Sequence, residues 1–549
     1  MDFSFKTRKK NIKKMRREEF DVLVIGGGIT GAGIARDATF RGLRTALVEK
    51  GDFASGTSSN SSKLIHGGFR YLETMELLLV FEASTERDRL RKLAPLSIRP
   101  SPFIMPIYRY SRNSYFKISC GMWLYDLLSL FKNIKRHRMF RAKKILEFIP
   151  ELDDKELVGG VFYYDCVTDD WRLTMRILKS AHENGAILTN YTKLEDFLKD
   201  NGRICGAKVR DLISGEDFEV KAKLFVNATG PWTDEILRLD EPGDMKIRPT
   251  KGIHIILPKD RFESENTVVV SDHKGERFIF VIPWNDFCIV GTTDTDFSES
   301  LDELYAKREE VLYLLESLNK AFPKLALSEK DVISTYAGVR PLILQKEKWE
   351  YRVSREHKVF ESKSGLITIT GGKLTTFRKM SEEVVDKIAS KLERDFGIKP
   401  DSCKTHKIPL EDVDFKRVAF YLQDKVEEAR EYGLSREVAY HLISTYGEEH
   451  REILEFLNER GRERIVEDLP HIKAEIPFSI KKEMTLTLND FLVRRTRIFL
   501  KDLNQGLTCA RDVAEMMAEY LSWSKEEIER QVKLYEREVE LSRRFREIS

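Results

Sequence analysis

Three glycines near the start of this 549-residue chain constrain its fold more than any other feature. Gly26, Gly28 and Gly31 follow an apolar run at residues 22–25 and open a segment with the pattern of a helix. In a strand–turn–helix unit, this G-x-G-x-x-G spacing permits a tight turn, the approach of a pyrophosphate and close packing of the helix on the strand. Glu49 ends the next apolar run, where a carboxylate accepts hydrogen bonds from a ribose. This stretch predicts a dinucleotide-binding unit, without deciding between FAD and NAD.

Two later glycine turns favour a flavin. "VNATGPW" (226–232) follows a β-type run, and "TGGKLTTF" (370–377) links a predicted strand to a predicted helix. Each turn alone is as consistent with an ordinary loop. Together they suggest that one long ligand crosses the domain, with its diphosphate at the first glycines and its redox end near the last turn. The candidate cofactor-binding residues in these turns are Gly230, Gly371, Gly372, Leu374 and Thr375.

The segment "SSKLIHGGFRYLE" (61–73) places hydroxyls, two cationic side chains and an aromatic ring around two glycines. Such a set suits an anionic ligand, because cations and hydroxyls donate hydrogen bonds to its oxygens. The anion can be the nucleotide or a substrate. Alternatively, the polar groups only stabilise their own loop.

Composition excludes some classes of protein. The six cysteines are far apart and form no C-x-x-C pair, which argues against a zinc site or a cysteine-ligated iron–sulfur cluster, so no metal is expected. No run of about 18 uninterrupted apolar residues is present, so a membrane-spanning helix is not predicted. The 33% of charged residues and the formal net charge of +3 are typical of a soluble globular protein.

The pattern along the chain predicts an α/β fold of several parts. Alternating β-type and helical segments fill residues 20–400, and we interpret them as a Rossmann-like domain interleaved with a β-rich substrate domain, mainly about 95–160 and 240–345. Residues 401–549 are mostly charged amphipathic segments, which predict a C-terminal all-helical domain. Residues 1–19 form a separate arm, with eight cations between positions 6 and 17. We consider three interpretations of this arm, in decreasing order of preference: a disordered solvated tail, an arm that binds anionic lipid, and an arm that binds nucleic acid.

Beyond the glycine fingerprint, the chain closely resembles FAD-dependent glycerol-3-phosphate dehydrogenase, of the group that shares the D-amino-acid-oxidase-like fold. The resemblance covers about residues 20–540. The motifs that carry it are "GGGITGAGIARDA", "TSSNSSKLIHGGFRYLE", "FVNATGPW", "KGIHIILP", "FVIPW", "IVGTTDTD", "AGVRPL", "GGKLTTFRK" and "DFLVRRTR". It implies oxidation of sn-glycerol 3-phosphate to dihydroxyacetone phosphate, by hydride transfer to the N5 atom of FAD, with electrons passed to quinone.

The resemblance also assigns residues. Similar enzymes use hydroxyls at the positions of Ser61 and Ser62 on the FAD side. The positions that face the substrate phosphate are Arg70, Tyr71, Arg340, Arg355 and Lys373. A phosphate monoester carries nearly two negative charges, and each charge-assisted hydrogen bond contributes about 1.5–3 kcal/mol, so several cations would orient it. Any one of these cations can instead belong to a structural ion pair.

Alcohol oxidation needs a group that removes the hydroxyl proton, and histidine is the most frequent choice. His66 and His254 lie in the matching motifs. We favour His254, because alternation along the strand "KGIHIILP" can direct it into a cleft; its alternative is a core histidine bonded to backbone. His66 precedes two glycines and is suited to a place beside the flavin ring. Arg340 can stabilise the developing alkoxide.

The implied form is the single-subunit bacterial enzyme. An oxidase that uses oxygen is the nearest alternative, although such relatives usually carry an inserted segment that is not recognised here. The cysteine-rich region of the three-subunit anaerobic form and the calcium-binding loops of the mitochondrial form are not found in the sequence. A flavin-containing scaffold that binds nucleic acid is a remote alternative, so no nucleic-acid partner is expected. A homodimer is compatible with the sequence.

Because quinone dissolves in the bilayer, the resemblance implies a cytoplasmic protein attached peripherally to the inner face of the membrane. The arm 6–17 and the segment 115–144 are the candidate contacts with anionic lipid. The second segment has an apolar group, Trp123, Leu124, Leu127, Leu128, Leu130 and Phe131, followed by the cations Lys132, Lys135, Arg136, Arg138, Arg141, Lys143 and Lys144. This pattern suits a helix at the headgroup level. The alternative is that residues 115–131 pack against the FAD domain.

Overall fold

The computed structural model describes residues 2–72, 75–129, 133–241, 243, 245–346, 351–354 and 357–547, without the side chains of residues 70, 345, 346 and 351–354. Some predicted residues lie outside this description: the side chain of Arg70, the whole of Arg355, and residues 130–132 of the apolar–basic segment.

The nineteen strands formed by the described residues lie between residues 19 and 371. They are β1 Glu19–Ile25, β2 Thr45–Val48, β3 Leu64–Ile65, β4 Ile98–Tyr108, β5 Arg138–Arg141, β6 Leu157–Thr168, β7 Ile187–Thr189, β8 Thr192–Asp200, β9 Arg203–Asp211, β10 Asp217–Asn227, β11 Ile247–Pro258, β12 Thr267–Ser271, β13 Phe278–Trp284, β14 Phe287–Gly291, β15 Thr295–Asp296, β16 Ser334–Lys346, β17 Tyr351–Ser354, β18 His357–Glu361 and β19 Ile367–Gly371.

Helices alternate with these strands and then fill the C-terminal part. They are α1 Phe5–Met15, α2 Ile29–Phe40, α3 Leu77–Leu93, α4 Tyr115–Leu128, α5 Ala142–Phe148, α6 Asp170–Glu183, α7 Thr233–Asp240, α8 Arg308–Ala321, α9 Phe377–Phe396, α10 Val418–Arg430, α11 Arg436–Tyr446, α12 His450–Leu454, α13 Glu459–Arg462, α14 Glu475–Lys482, α15 Ile498–Lys501, α16 Ala510–Leu521 and α17 Lys525–Arg543. Tighter 3-10 turns lie at Phe69–Leu72, Gly230–Trp232 and Leu374–Thr376, and a π-helical turn at Asp490–Arg495.

The first sheet has the order β18-β19-β10-β1-β2-β7, with β9 and β8 added beside β10. Strands β19, β10, β1, β2 and β7 run parallel, so their carboxyl ends meet at one edge. Strand β1 is buried on both faces: Val22 and Val24 pack with α2, and Leu23 and Ile25 pack in a second cluster. This is why its sequence is a continuous apolar run and does not alternate.

The second sheet has the order β17-β16-β11-β14-β13-β12-β4-β6-β3, with β15 beside β11 and β5 beside β6. Along β11, Ile253 and Ile255 enter the core beneath α8, while Gly252 and His254 face the other way. The two sheets and the C-terminal helices α10–α17 confirm the predicted fold class, a Rossmann-like α/β domain with a β-rich part and a helical part. No helix formed by the described residues is long and apolar enough to cross a membrane.

The interpretation of the N-terminal arm as a disordered tail is wrong. Residues Phe5–Met15 form α1, capped by the hydroxyl of Ser4. Arg8 is 2% exposed; its Nε donates to the carbonyl of Asn190 at 2.9 Å and its Nη2 to Asp211 at 2.5 Å. Helix α1 is fixed on the protein because Arg8 has buried hydrogen-bond partners and because the apolar side of the helix packs in the core. The other cations of residues 6–17 are exposed.

The apolar–basic segment 115–144 is not one helix. It forms α4, the strand β5 and the start of α5. One side of α4 packs inward through Met122 and Tyr125, whereas Phe116, Trp123 and Leu127 stay exposed. One side of α4 therefore packs on the protein, against the β-rich part, and contact of the other side with lipid stays a prediction.

Candidate active site

A cavity of about 1400 Å³ lies between the carboxyl edge of the first sheet and the second sheet. In α/β sheets this edge is where ligands bind, because the loops and helix N-termini that follow the strands converge there. The cavity exceeds the range of about 300–1000 Å³ that is usual for drug-sized ligands. It is large enough for a long ligand together with a small substrate.

The glycine fingerprint has the geometry that the sequence predicts. Gly26 has a φ of +108°, and a Cβ on it would lie 2.7 Å from the carbonyl oxygen of Ala228. A Cβ on Gly31 would lie 1.9 Å from the carbonyl oxygen of Gly26, so only glycine allows α2 to approach β1 this closely. Gly28 caps α2 and lines the cavity. The helix N-terminus therefore reaches the cavity, where its N–H groups suit a diphosphate.

Glu49 lies at the end of β2, beside these glycines. Its two carboxylate oxygens accept hydrogen bonds from the backbone N–H groups of Gly51 at 2.8 Å and Gly27 at 2.7 Å. Burial raises the pKa of the carboxyl above its usual value, although these N–H groups oppose the rise. The bonds fix the carboxylate at the cavity wall, and each oxygen keeps a lone pair for a ribose hydroxyl.

The second and third glycine turns meet the same cavity. Gly230 and Gly371 have φ values of +57° and +77°, so both turns use left-handed backbone. Gly372, Leu374 and Thr375 also line the cavity. The Thr375 hydroxyl accepts a hydrogen bond from the backbone N–H of His66 at 3.1 Å and donates to its carbonyl at 3.2 Å. The structure thus joins the turn after β19 to the segment 61–73.

Three predicted phosphate ligands, Tyr71, Arg340 and Lys373, line the cavity and make two separate contacts. The Lys373 ammonium is 3.3 Å from the centre of the Tyr71 ring, a close cation–π contact. Arg340 donates to Asp294 at 3.2 Å and to the hydroxyl of Thr292 at 3.1 Å. All of these side chains line the cavity.

Space for Arg340 depends on a neighbouring glycine. A Cβ on Gly252 of β11 would lie only 2.5 Å from the Arg340 Nη2 atom. Two positions farther along β11, His254 faces the same cavity.

The His254 ring is buried but reaches the cavity wall. It stacks on Tyr336 with ring centres 4.7 Å apart, and its Nε2 atom is 2.8 Å from the Ser62 hydroxyl. Gly291 on the adjacent strand leaves room for the ring, because a Cβ there would lie 2.3 Å from His254 Cδ2. Burial, followed by the charges of Arg340 and Lys63, holds the pKa of His254 well below its usual value. At neutral pH the imidazole is therefore uncharged, so one ring nitrogen has a lone pair for a proton, while the lowered pKa also makes it a weaker base.

Part of the segment 61–73 stabilises its own loop. Lys63 is buried, and its ammonium donates to Asp170 at 2.6 Å. The Ser61 hydroxyl donates to the same carboxylate at 2.7 Å, although Ser61 also lines the cavity. The segment therefore divides: Ser61 and Lys63 bind Asp170, whereas Ser62, His66 and Tyr71 border the cavity.

Sequence reasoning missed several residues of the cavity wall. Asp294, Tyr336 and Arg497 line it, and each contacts a predicted site residue or its loop. Asp294 and Arg497 lie in motifs that carry the resemblance, "IVGTTDTD" and "DFLVRRTR", which was the available signal. Tyr336 precedes "AGVRPL" directly.

Buried polar atoms in the wall fit a cofactor. The Nε1 atom of Trp232, the Oγ1 atom of Thr370 and the Nδ1 atom of His254 are buried, and the described residues offer them no hydrogen-bond partner. Trp232 and Thr370 belong to the turns after β10 and β19. Buried polar atoms without a protein partner are expected where a polar ligand provides that partner. Together with the glycine cradle, these atoms fit a flavin dinucleotide.

A group of three potential metal ligands lies elsewhere, in the C-terminal helices. The Glu475 carboxylate accepts hydrogen bonds from His441 Nε2 at 3.0 Å, the Tyr446 hydroxyl at 2.7 Å and the backbone N–H of Ile472 at 2.8 Å, and His471 lies beside it. Burial opposes ionisation, but the two histidines hold the pKa of Glu475 well below its usual value. We interpret this group as a hydrogen-bonded cluster that fixes the start of α14.

Comparison with known families decides the class. A family model described as FAD dependent oxidoreductase matches residues 21–378, which is more than half of the chain. The chain belongs to this family. A second model, described as the C-terminal domain of alpha-glycerophosphate oxidase, matches residues 403–528. FAD is therefore the cofactor of this oxidoreductase, as the glycine turns predict.

Individual relatives are similar over nearly the whole length. The aerobic glycerol-3-phosphate dehydrogenase of Staphylococcus epidermidis is 37% identical over 543 residues, covering 96% of this chain and 95% of the relative. The Staphylococcus saprophyticus enzyme of the same name is 38% identical over 535 residues, covering 96% of each chain. Among solved structures, the glycerol-3-phosphate dehydrogenase from Bacillus halodurans complexed with FAD superimposes with a TM-score of 0.83 at 32% identity, covering 98% of each chain. These matches confirm the resemblance.

Proposed function

We propose that this oxidoreductase converts sn-glycerol 3-phosphate to dihydroxyacetone phosphate with FAD. One observation carries the proposal: Arg340 and Lys373 line the same cavity as the uncharged His254. Cations suit a phosphate, and an uncharged imidazole suits removal of a hydroxyl proton. The names of the relatives support the same substrate.

Each part of the site has a role in this proposal. Gly26, Gly28 and Glu49 would hold the ADP half of the cofactor, and the turn at residues 370–375 would border its redox end. Bound FAD supplies the acceptor for the hydride that leaves C2 of the substrate. The hydroxyl proton reaches His254 Nε2 directly or through the Ser62 hydroxyl 2.8 Å away. Arg340 stabilises the negative charge that develops on the substrate oxygen.

Product formation tests the substrate assignment. Purified protein incubated with sn-glycerol 3-phosphate and an artificial electron acceptor should form dihydroxyacetone phosphate. Glycerol, which lacks the phosphate, should react far more slowly. Equal turnover of the two alcohols would show that the cations do not select the phosphate.

For the electron acceptor we infer quinone, reached from the surface of an anionic membrane at its cytoplasmic face. Packed together, α3 and α4 both expose apolar side chains. Leu78 is 86% exposed, Phe116 77% and Trp123 55%. Exposed cations accompany them, namely Arg112, Lys117, Arg138, Arg141, Lys143 and Lys144. Apolar groups beside cations suit a protein that lies on anionic lipid, where each cation contributes about 1 kcal/mol.

Vesicle sedimentation tests this surface. Binding should increase with the fraction of anionic lipid and weaken, without vanishing, in high salt. The double variant Phe116→Ser/Trp123→Ser should sediment less, whereas the matched control Phe420→Ser, which changes a 61% exposed aromatic of α10, should bind like the parent. Failure of the parent to sediment at low salt would refute membrane contact.

Oxygen is the alternative acceptor, because the second family model is described from an oxidase. Reoxidation of the reduced flavin distinguishes the two. A dehydrogenase should be reoxidised rapidly by a soluble quinone and slowly by air-saturated buffer. Rapid reoxidation by air would instead support the oxidase.

A further inference from the structure

An ionic cluster joins the C-terminal helices to the loop that carries Ser62. Arg497 follows the π-helical turn and is only 3% exposed. Its Nη2 atom donates to Asp170 at 2.9 Å, and its Nη1 atom to the carbonyl of Ser59 at 3.4 Å. Its backbone has a φ of +61°, a conformation that costs energy for any residue except glycine. The two hydrogen bonds hold this buried guanidinium against the loop.

Asp170 connects Arg497 to both neighbours of Ser62. One carboxylate oxygen accepts the backbone N–H and the hydroxyl of Ser61, at 3.1 and 2.7 Å, and the other accepts the Lys63 ammonium at 2.6 Å. Because the residues on either side of Ser62 bind one buried carboxylate, the position of the Ser62 hydroxyl follows from the position of Asp170.

The cluster combines opposite charges, and Lys501 is a further buried cation that acts on Asp169. Arg497 and Lys63 face Asp169 and Asp170, and Arg497 lies 3.3 Å from Asp169. A buried carboxylate that loses one cation is strongly destabilised, because its charge stays buried without full compensation. Arg497→Lys keeps the charge but lacks the guanidinium fork that bonds Asp170 and the Ser59 carbonyl together, so we expect Asp170 or the loop bound to it to shift in that variant.

We propose that Arg497 is a positioning residue for proton transfer: through Asp170 it holds the Ser62 hydroxyl within hydrogen-bond distance of His254. The C-terminal helices thereby take part in the chemistry of the FAD domain. The inference depends on the proposed role of His254 as proton acceptor.

A double-variant cycle tests the proposal, because residues that act through one another show non-additive effects. The measured quantity is the limiting rate of flavin reduction by sn-glycerol 3-phosphate in the anaerobic stopped-flow instrument. Arg497→Lys and Ser62→Ala should each slow reduction about tenfold, part of the 10²–10⁴-fold that a positioned base contributes. The double variant should be no slower than Ser62→Ala alone. A double variant about 100-fold slower than the parent would overturn the proposal.

Controls separate positioning from general damage. Arg176→Met removes another arginine bound to the C-terminal part, through the carbonyl of Thr445 and Glu411, and it should reduce at the parental rate. If Arg497→Lys does not fold, Ser61→Ala cuts the same connection at the hydroxyl, and it should also be non-additive with Ser62→Ala.

His254→Asn distinguishes failure of this proposal from failure of the proposed function. Slow reduction in His254→Asn together with an additive cycle would overturn only the role of Arg497. Parental reduction in His254→Asn would overturn the proton acceptor, and the role of Arg497 with it.

Discussion

Replacing Arg340 by methionine should weaken recognition of the substrate phosphate with little effect on the fold. The side chain is 30% exposed and its ion pair with Asp294 spans 3.2 Å, so the pair contributes at most about 1 kcal/mol to stability. Each charge-assisted bond to a phosphate contributes about 1.5–3 kcal/mol. At 1.4 kcal/mol per factor of ten, loss of one such bond lowers kcat/KM for sn-glycerol 3-phosphate about 10- to 150-fold.

The assay compares kcat/KM for sn-glycerol 3-phosphate with kcat/KM for glycerol. Arg340→Met should reduce the ratio of the two by this factor, because glycerol has no phosphate to lose. Arg248→Met is the matched control. Arg248 lies near the start of β11, the strand that carries His254, and it pairs with Asp296 at 2.5 Å. It does not line the cavity. An equal loss of kcat/KM on both substrates would refute the role of Arg340 in binding the phosphate. Arg340 would then act only on the developing alkoxide or on the stability of the fold.

Three further predictions follow from the site. His254→Asn should slow flavin reduction while FAD stays bound; in the parent, reduction should decline only well below pH 6.5, because burial lowers the pKa of His254. Between that lowered pKa and 6.5 the unfolded chain binds more protons at His254 than the folded protein does, so acidification in this range should also lower the free energy of unfolding. A rate of flavin reduction that already falls with acidification at or above pH 6.5 would contradict the lowered pKa. Gly31→Ala should yield protein without FAD, since a Cβ would lie 1.9 Å from the Gly26 carbonyl oxygen, whereas Gly243→Ala, with nothing within 4 Å of its Cβ and no left-handed φ, should retain the cofactor. Acid precipitation should release all the yellow colour to the supernatant, since the sequence has no motif for covalent attachment; colour in the pellet would contradict non-covalent binding.

The cofactor half of the site was predictable because its signal is local. The spacing of Gly26, Gly28 and Gly31 encodes one turn, and Glu49 ends the next parallel strand, so neighbouring positions determine the geometry. His254 was accessible in the same way, because strand alternation gives its face. The sequence suggests but does not establish that the turns after β1 and β19 meet at one edge of the sheet. Their meeting depends on both strands running parallel to β10, which the structure shows.

The remaining contacts join residues far apart in sequence. Lys63 is one of two cations in a segment whose pattern suits either an anion or its own loop, and the partner that decides between them, Asp170, is 107 positions away. Arg497 reaches the same carboxylate across 327 positions. Arg8 looked like part of a solvated tail, because its acceptors at residues 190–211 come near only in the folded chain. A charge pattern alone does not distinguish a solvated cation from one with a buried partner.

Anaerobic titration with sn-glycerol 3-phosphate tests the central claim most directly. The account predicts that the flavin absorbance bleaches as substrate is added, reaching completion near one equivalent per flavin, with dihydroxyacetone phosphate formed in equal amount. Glycerol at the same concentration should leave the spectrum oxidised. A flavin that stays oxidised in excess sn-glycerol 3-phosphate, in protein that a chemical reductant still bleaches, would contradict the account.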